Sequence, residues 1–371
     1  MIGKSEANKA SATRFIEAFN SSEWDVVREV VHPDFVLHHP VGGTMQLGPE
    51  GMIAVWSDLK AAIPDARHPI PIMVTDGDYL ATLLPIYGHF DGEPHQGISP
   101  TGNWLEYGMV NIVKLENGQL IEGWFGMDPL AEMAQMGAVP NPPTRPLTEF
   151  EESNVRLFED TVDGAYLEYG KITAFGSAVV ALGPPQYAED AKARKLEIYV
   201  EQQGEFTLVR SHEFPTIPPY GGALAVDTEQ SRAVVSRFFD DVLVKQDLDA
   251  LIDLASIDVL IHPTAMPCEA SCYGIDGMAF WLNHTLASFP DLTIDAYHTV
   301  ASGDIVAVRW EARGTSHGEF MDVPPTGAEV RFTGISMFRI EDGVIAEIWD
   351  TRNTLEIMLQ LDPELGGRYS H

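Results

Sequence analysis

Cysteine is nearly absent from this sequence: Cys268 and Cys272 are the only two in 371 residues. A disulfide framework therefore does not hold the fold, and the C-x-x-x-C spacing favours two separate thiols over a local disulfide or half a metal site. No run of about 18 apolar residues is present, so we expect no membrane-spanning helix. The polar N-terminus lacks the apolar core of a secretory signal. These absences favour a cytoplasmic protein.

Positive charge is also scarce. The chain has 23 Lys and Arg residues against 55 Asp and Glu residues, which gives a formal net charge of −32. Such a surface repels phosphate backbones and anionic lipid headgroups. We therefore expect neither nucleic acid nor a membrane as a partner.

What is present is a long internal repeat. The segment "GPEGMIAVW" from Gly48 matches "GIDGMAFWL" from Gly274, and "ENGQLIEGWF" from Glu116 matches "EDGVIAEIWD" from Glu341. The matching segments keep their order and nearly constant spacing along the chain, which is typical of a duplicated domain. The sequence therefore predicts two copies of one fold.

The copies are separated by a segment of different character. We expect copy one over residues 1–138 and copy two over 223–371. Residues 139–146, "VPNPPTRP", read as a linker because they contain four prolines. Residues 147–222 predict a partial α+β module, with a helix near Glu149 to Asp160 followed by a strand hairpin.

Each copy begins with helical periodicity and continues with alternating segments separated by Asn-Gly or Asp-Gly turns. Helices followed by antiparallel hairpins indicate an α+β fold. The strand segment "YLATLLPIYG", residues 79–88, is apolar on both faces and should be covered on both. We therefore expect the outer sheet faces of the copies to pack on each other as an internal pseudo-dimer. Association into a homo-oligomer is left open.

In copy two, the motifs Pro-Asp, Gly-Asp, "PPTG" and "EDGVIAEIWD" follow one another in order between Gly274 and Leu361. This region resembles the SnoaL-like polyketide cyclases, an ester cyclase group of the nuclear transport factor two-like superfamily. The resemblance implies a cone in each copy: a curved antiparallel sheet and three helices enclosing an apolar pocket. It also implies an acid/base Asp at the position of Asp350, working without metal or cofactor. The family also has a His about one hairpin before this Asp. That position falls near Ser336 in this sequence, so the customary partner is missing.

The residues around Asp350 can be interpreted independently. Strict alternation puts Asp350 on the same face as Val344, Ala346 and Ile348, and burial against them would raise the pKa of a general base. The alternative is that Asp350 caps the helix that follows. In copy one Phe125 takes the place of this carboxylate, and Asp128 is the next candidate there.

Further candidates are histidines and aromatic residues of both copies. We expect His262 and His284 to accompany Asp350 and Asp128 as catalytic residues. A hydrogen-bonded core histidine is the alternative for His262 and for His38, which aligns with it. Adjacent His38 and His39 point to opposite faces of a strand, so only one can face inward. The predicted substrate-binding residues are Trp281, His38, His39, Tyr87, Tyr107 and Trp124. No H-x-H or H-E-x-x-H pattern predicts a metal site.

The sequence thus favours an enzyme without a cofactor that acts on a small hydrophobic, aromatic or polyketide-like substrate. The reaction would be of the aldol, retro-aldol lyase or isomerase type. Two alternatives remain: a non-catalytic ligand-binding or assembly protein that uses the same cone, and an epoxide or ester hydrolase.

Overall fold

The computed structural model describes residues 3–40, 42–139, 147–161, 171–175, 178–182, 186–188, 191–214, 227–263 and 272–362. Residues 140–146 of the expected linker, and Cys268, lie outside the described residues. No helix among those described is both long and apolar enough to cross a membrane.

Copy one contains helices at its start and end and a sheet between them. Its helices are α1 (Lys4–Ser21), α2 (Trp24–Val30), α3 (Gly48–Ala62) and α4 (Pro129–Gln135). Its strands are β1 (Val31–His39), β2 (Gly43–Gln46), β3 (Ile72–Asp76), β4 (Tyr79–Leu83), β5 (Ile86–His89), β6 (Trp104–Tyr107), β7 (Val110–Glu116) and β8 (Gln119–Gly126). Six strands form a sheet in the order β2-β1-β8-β7-β4-β3, while β5 and β6 pair separately.

The middle segment has its own sheet. Its elements are α5 (Glu149–Thr161), β9 (Lys171–Phe175), β10 (Ala178–Leu182), β11 (Gln186–Ala188), β12 (Ala191–Gln202) and β13 (Glu205–Phe214). The expected helix and strand hairpin are therefore both present. Phe158 of α5 packs on Ala174, Val179 and Ala181 to give this sheet a small core.

Copy two repeats the plan of copy one. Its helices are α6 (Thr228–Arg237), a π-helical turn (Phe238–Val244), a 3₁₀ turn (Leu248–Ala250), α7 (Leu251–Leu254), α8 (Gly274–Ser288) and α9 (Thr354–Leu361). Its strands are β14 (Ala255–Pro263), β15 (Cys272–Tyr273), β16 (Thr293–Ser302), β17 (Ile305–Thr315), β18 (Glu329–Glu341) and β19 (Val344–Arg352). The strand order, β15-β14-β19-β18-β17-β16, matches that of copy one, and this confirms the predicted duplication.

The sheets are mixed rather than wholly antiparallel, which corrects one detail of the prediction. The first long strand of each copy pairs in parallel with the last, β1 with β8 and β14 with β19, and the remaining pairs are antiparallel. Sequence reasoning saw only the hairpins between consecutive strands, because the first strand meets the last only through the tertiary fold. Each copy also ends in a short fourth helix, α4 or α9.

The hairpin that was recognised in both copies depends on its two turn residues. Asn117 and Gly118 have φ values of 51° and 82°, and Asp342 and Gly343 have values of 52° and 81°. Two successive positive φ angles define the turn that best fits the twist of a two-residue hairpin. The Asn-Gly and Asp-Gly turns predicted from the sequence are therefore confirmed.

The two sheets pack on each other through their outer faces. Their shared apolar layer contains residues from both copies: Ile72, Val74, Ala81, Leu83, Val110, Ile112 and Trp124 from copy one, and Val300, Ile305, Ala307, Ile335, Met337 and Trp349 from copy two. A Cβ on Gly126 would lie against Thr351 and Ile335 across this layer. The inner faces cover separate cores with the helices of each copy. The expected packing of one sheet on the other is thus observed.

Candidate active site

Asp350 lies near the end of β19 and faces the interior of copy two. Ile348, two residues earlier, belongs to the inner core, whereas Trp349 between them packs in the layer shared with copy one. Asp350 is only 4% exposed. The prediction that Asp350 shares the inner face with Ile348 is therefore confirmed.

The earlier part of the same strand departs from strict alternation. Ile345 pairs with Ile340 and Glu347 pairs with Arg339, so Ala346 is an extra residue in β19. Such a β-bulge reverses which side chains face inward. Ile345, expected on the outer face, consequently packs in the inner core.

A chain of hydrogen bonds holds the Asp350 carboxylate. The Ser336 hydroxyl on the neighbouring strand β18 donates to Oδ1 of Asp350 at 2.6 Å. The indole Nε1 of Trp310 on β17 donates to the same Ser336 oxygen at 2.8 Å. Because Ser336 receives its own donor from Trp310, its proton is directed toward Asp350.

Burial sets the acidity of this carboxyl. Removal from water raises the pKa of Asp350 above its usual range, while Arg352 and the hydrogen bond from Ser336 oppose the rise. An acid with a raised pKa exchanges protons more readily near neutral pH than an ordinary Asp. The site therefore supplies a candidate general base.

Arg352 is the cation beside this carboxylate, and sequence reasoning missed it. Its Nη2 lies 3.5 Å from Oδ2 of Asp350, and its Nη1 donates to the Thr285 hydroxyl on α8 at 2.6 Å. The guanidinium also lies 5.8 Å from the ring centre of Trp281. The sequence did contain a signal for this contact. Arg352 follows Asp350 by two residues on the same strand, and alternate residues of a strand share a face.

Trp281, predicted to bind substrate, lines the cavity. Its indole Nε1 is buried and has no hydrogen-bond partner among the described residues. Buried donors usually have an acceptor, so this N–H is suited to a bound oxygen.

The cavity opens to solvent, and about 490 Å³ of space, part of it solvent at the mouth, lies against its walls. Most of its wall is apolar, with the residues Phe238, Phe239, Leu282, Leu286, Trp310 and Phe332. A few polar groups on an apolar wall are typical of small-molecule sites.

The structure does not bring His284 to Asp350. His284 is exposed on α8 and stacks on Phe320, with ring centres 5.7 Å apart. Partial burial, and then Arg352, lowers the pKa of His284. Arg352, rather than His284, is the side chain paired with Asp350, and His284 does not line the cavity.

His262 and His38 lie on the outer faces of their sheets, so the expectation that they line a cavity is wrong. Nε2 of His262 lies 2.9 Å from Glu347, and Nε2 of His38 lies 2.9 Å from Glu122. Each His is next in sequence to a residue that faces the inner core of its copy. Because side chains alternate along a strand, that single step puts the imidazole on the opposite face.

Two predicted pocket aromatics also lie elsewhere. Trp124 is in the apolar layer between the sheets, where its ring stacks on His38 with centres 5.1 Å apart. Tyr87 stacks on Trp104 across β5 and β6, while its neighbour Ile86 faces the core of copy one. Neither Trp124 nor Tyr87 therefore faces the cone interior.

Asp128 caps a helix. Its Oδ1 accepts a hydrogen bond from the backbone N–H of Leu130 at 3.0 Å, at the start of α4. Asn353 does the same in copy two, where its Oδ1 accepts from the N–H of Glu356 at 3.1 Å. Asn353, and not Asp350, is therefore the cap of α9. The helix-cap interpretation applies to Asp128 and Asn353, which are equivalent positions of the two copies.

The positions in copy one that match the site are largely apolar. Asn111 pairs with Phe125 in the register in which Ser336 pairs with Asp350. Both Phe125 and Met127, which stands where copy two has Arg352, pack on the inner core of copy one. The copies have therefore diverged at this point, and only copy two has the carboxylate.

Among the described residues, no three His, Cys, Asp or Glu side chains are grouped so that they could hold a metal ion. The polar side chains Asp350, Ser336, Arg352 and Trp281 line the cavity together.

Comparison with known proteins gives a family match in both copies. The model of the family described as SnoaL-like polyketide cyclase matches residues 10–136 and 233–361. No curated protein matches the chain.

Several solved structures are similar over the length of one copy. A SnoaL-like polyketide cyclase from Jannaschia sp. CCS1 is 21% identical, with a TM-score of 0.35, over 38% of this chain and 97% of that one. IdmH, described as a polyketide cyclase from Streptomyces antibioticus, is 31% identical, with a TM-score of 0.31, over 36% of this chain and 98% of that one. AclR, described as a hydroxylase from Streptomyces galilaeus, is 27% identical, with a TM-score of 0.33, over 36% of this chain and 97% of that one.

Proposed function

The chain belongs to the SnoaL-like polyketide cyclase family, and we propose that copy two is an acid/base enzyme acting on a small hydrophobic substrate. The substrate would be aromatic or polyketide-like, and the reaction would be of the aldol, retro-aldol or isomerase type. The observation that carries this proposal is the buried Asp350, held by Ser336 in an apolar cavity with Arg352 beside it.

The first step is removal of a proton from a carbon next to a substrate carbonyl. The C–H bond breaks, the proton passes to the Asp350 carboxylate, and the electron pair forms an enolate. The negative charge moves to the enolate oxygen, where Arg352 and the N–H of Trp281 stabilise it. Donors that are already in place where charge develops lower the barrier most effectively.

The second step returns the proton. In an aldol reaction the enolate carbon attacks a second carbonyl, a C–C bond forms, and the new alkoxide takes the proton from Asp350. A retro-aldol reaction follows the same steps in reverse, and an isomerase returns the proton to a different carbon. Asp350 ends in the carboxylate form in each case, so these steps use only the chain's own side chains.

The apolar wall supports this assignment in two ways. It binds the carbon body of the substrate through the hydrophobic effect. It also keeps water from the enolate, which would otherwise be reprotonated without forming a C–C bond. Ser336 restricts the Asp350 carboxyl to one orientation, which keeps the base aimed at the bound carbon acid.

The experiment that tests the proposal follows proton removal directly, without knowledge of the natural substrate. The protein is incubated with 2-acetonaphthone in deuterium oxide, and proton NMR follows exchange of the methyl group next to the carbonyl. We expect exchange above the buffer rate and its loss in Asp350→Asn. If 2-acetonaphthone binds in copy two but does not exchange, the protein is a ligand-binding protein and the enzyme assignment is wrong.

A further inference from the structure

Asp128 of copy one lies close to the active-site arginine of copy two. Asp128 is 1% exposed, and its Oδ1 accepts the capping hydrogen bond from Leu130 at the start of α4. Its Oδ2 is buried and has no hydrogen-bond partner in the described part of the chain. Burial raises the pKa of Asp128 to about 7, and Thr354 and Arg352 of copy two are among the groups that oppose this rise. The charge of Arg352 therefore reaches a carboxylate of the other copy.

The ends of β8 and β19 meet at this point. A Cβ on Gly126, two residues before Asp128, would lie against the hydroxyl of Thr351, which directly precedes Arg352. The helices that follow the two strands, α4 and α9, share a small apolar cluster. The contact between Asp128 and the end of β19 is thus part of the packing of one copy on the other.

The two copies cap these helices with different residues. Copy two has Asn353 where copy one has Asp128, and copy one has Met127 where copy two has Arg352. Asn caps a helix about as well as Asp, and Asn353 does so here. A buried carboxylate costs more free energy than a buried amide unless it is paired. Capping therefore does not explain the charge of Asp128, whereas a nearby arginine does.

Other titratable groups of copy one beside α4 interact among themselves. Tyr107 of β6, predicted to bind substrate, donates its hydroxyl to Glu132 on α4, and both side chains are buried. His95 favours the ionised form of Glu132. His39, also predicted to bind substrate, is uncharged near neutral pH, because burial and then His95 lower its pKa to about 4.

Two further carboxylates on the elements packed against α4 have donors of their own: Glu106 of β6 accepts from Trp104, and Glu356 of α9 accepts from Asn353. Arg352 is the charged group with the strongest effect on the pKa of Asp128. Asp128 and Asp350 therefore share one cation, although Asp128 does not line the cavity.

We propose that Asp128 is a positioning residue for the active site of copy two: it acts through Arg352, and its ionisation slows proton removal by Asp350. This inference rests on the proposed function, in which Arg352 stabilises the enolate. When Asp128 is ionised, Arg352 interacts with two carboxylates, Asp350 at 3.5 Å and Asp128, so less of its charge acts on the enolate. When Asp128 is protonated, this competition ends. Copy one thus sets the charge balance of a site whose wall belongs to copy two.

The test compares the pH dependence of 2-acetonaphthone exchange, corrected for the buffer rate, in the wild type and in Asp128→Asn. Asn is neutral at every pH and keeps the cap. The two proteins should match at pH 5.5, and the variant should become roughly three- to tenfold faster at pH 8.5, since an interaction worth one pKa unit changes a rate about tenfold. Asp128→Ser, a second neutral cap, should behave like Asp128→Asn. Superimposed profiles, as expected of a residue that only caps its helix, would overturn the proposal.

Arg352→Met tests whether Asp128 is coupled to the arginine, with a readout that does not depend on activity. The titration of Asp128, followed by carbon-13 NMR of its carboxyl group, should move to higher pH in this variant, because Arg352 opposes the rise in its pKa. An unmoved titration would overturn the proposal. Failure of the proposed function itself would be seen elsewhere, as exchange that persists in Asp350→Asn. If Arg352→Met does not fold, the comparison of the wild type with Asp128→Asn and Asp128→Ser still decides.

Discussion

Replacing Asp350 by Asn is the change that most directly tests the proposed mechanism. The amide keeps the size of the side chain, and its Oδ1 still accepts the hydrogen bond from Ser336. Its NH₂ group then lies where Oδ2 faced Arg352 at 3.5 Å. Asn cannot accept the substrate proton, so the variant removes the base while it leaves the cavity almost unchanged.

The expected loss in turnover is large. General acid–base catalysis contributes roughly 10²- to 10⁴-fold to rate. Proton exchange of 2-acetonaphthone should fall by about that factor in Asp350→Asn. Binding of the probe should change little, since the apolar wall provides most of the contact area.

Thermal stability should move in the opposite direction from activity. Burial raises the pKa of Asp350 from its ordinary value of 3.8, so the folded chain holds this proton more tightly than the unfolded chain. Stability is therefore lost as pH rises from 3.8 toward the raised value. Asn has no such proton, and the melting temperature of Asp350→Asn at neutral pH should equal or exceed that of the wild type.

The matched control is Asp128→Asn, because Asp128 is also a buried Asp but caps a helix in copy one, with Thr354 and Arg352 of copy two nearby. Asn caps helices about as well as Asp, and Asp128 does not line the cavity, so exchange should fall far less than in Asp350→Asn. The measurement is the NMR exchange rate of both variants beside melting curves. Near-wild-type exchange in Asp350→Asn would refute the reasoning, and an equal loss in Asp128→Asn would show that the two residues do not differ as argued.

Three other perturbations have defined outcomes. Arg352→Met should slow exchange by roughly 10²- to 10³-fold. It should also move the acidic limb of the pH–rate profile to higher pH, because Arg352 opposes the rise in the pKa of Asp350. Burial raises the pKa of Asp128 to about 7, so the wild type loses stability as pH rises from about 4 to 7. Asp128→Asn should therefore show a smaller decline in melting temperature over this pH range. Gly126→Ala should lower the free energy of unfolding by about 1–3 kcal/mol, measured by denaturant titration. The reason is that the added Cβ would lie 2.5 Å from the Val110 carbonyl oxygen and against Thr351. Unchanged stability would show that the sheets separate easily.

The elements of this fold that depend on local sequence could be predicted. The Asn117-Gly118 and Asp342-Gly343 turns need backbone conformations that few other pairs adopt, so their hairpins were visible in the sequence. The duplication followed from repeated motifs. The face of Asp350 followed from two-residue periodicity near the end of its strand.

The features that were missed depend on tertiary structure. The bulge at Ala346 inserts a residue that no sequence pattern marks, and it reversed the predicted side of Ile345. The parallel pairing of β14 with β19 puts His262 opposite Trp349, on the face that meets Glu347. A histidine near a predicted pocket looks the same in sequence on either face, which is why His262 was placed wrongly.

The position of β19 explains how copy one supports a site whose carboxylate only copy two carries. Trp349 and Thr351 face copy one, while Asp350 and Arg352 between and beyond them face the cavity. Copy one thus covers the back of the strand that carries Asp350 and Arg352. Its sheet supports the candidate active site by packing, whatever residue occupies its own inner face. The packing uses only the outer face of copy one, so it does not depend on the inner face, where Phe125 stands in place of a carboxylate.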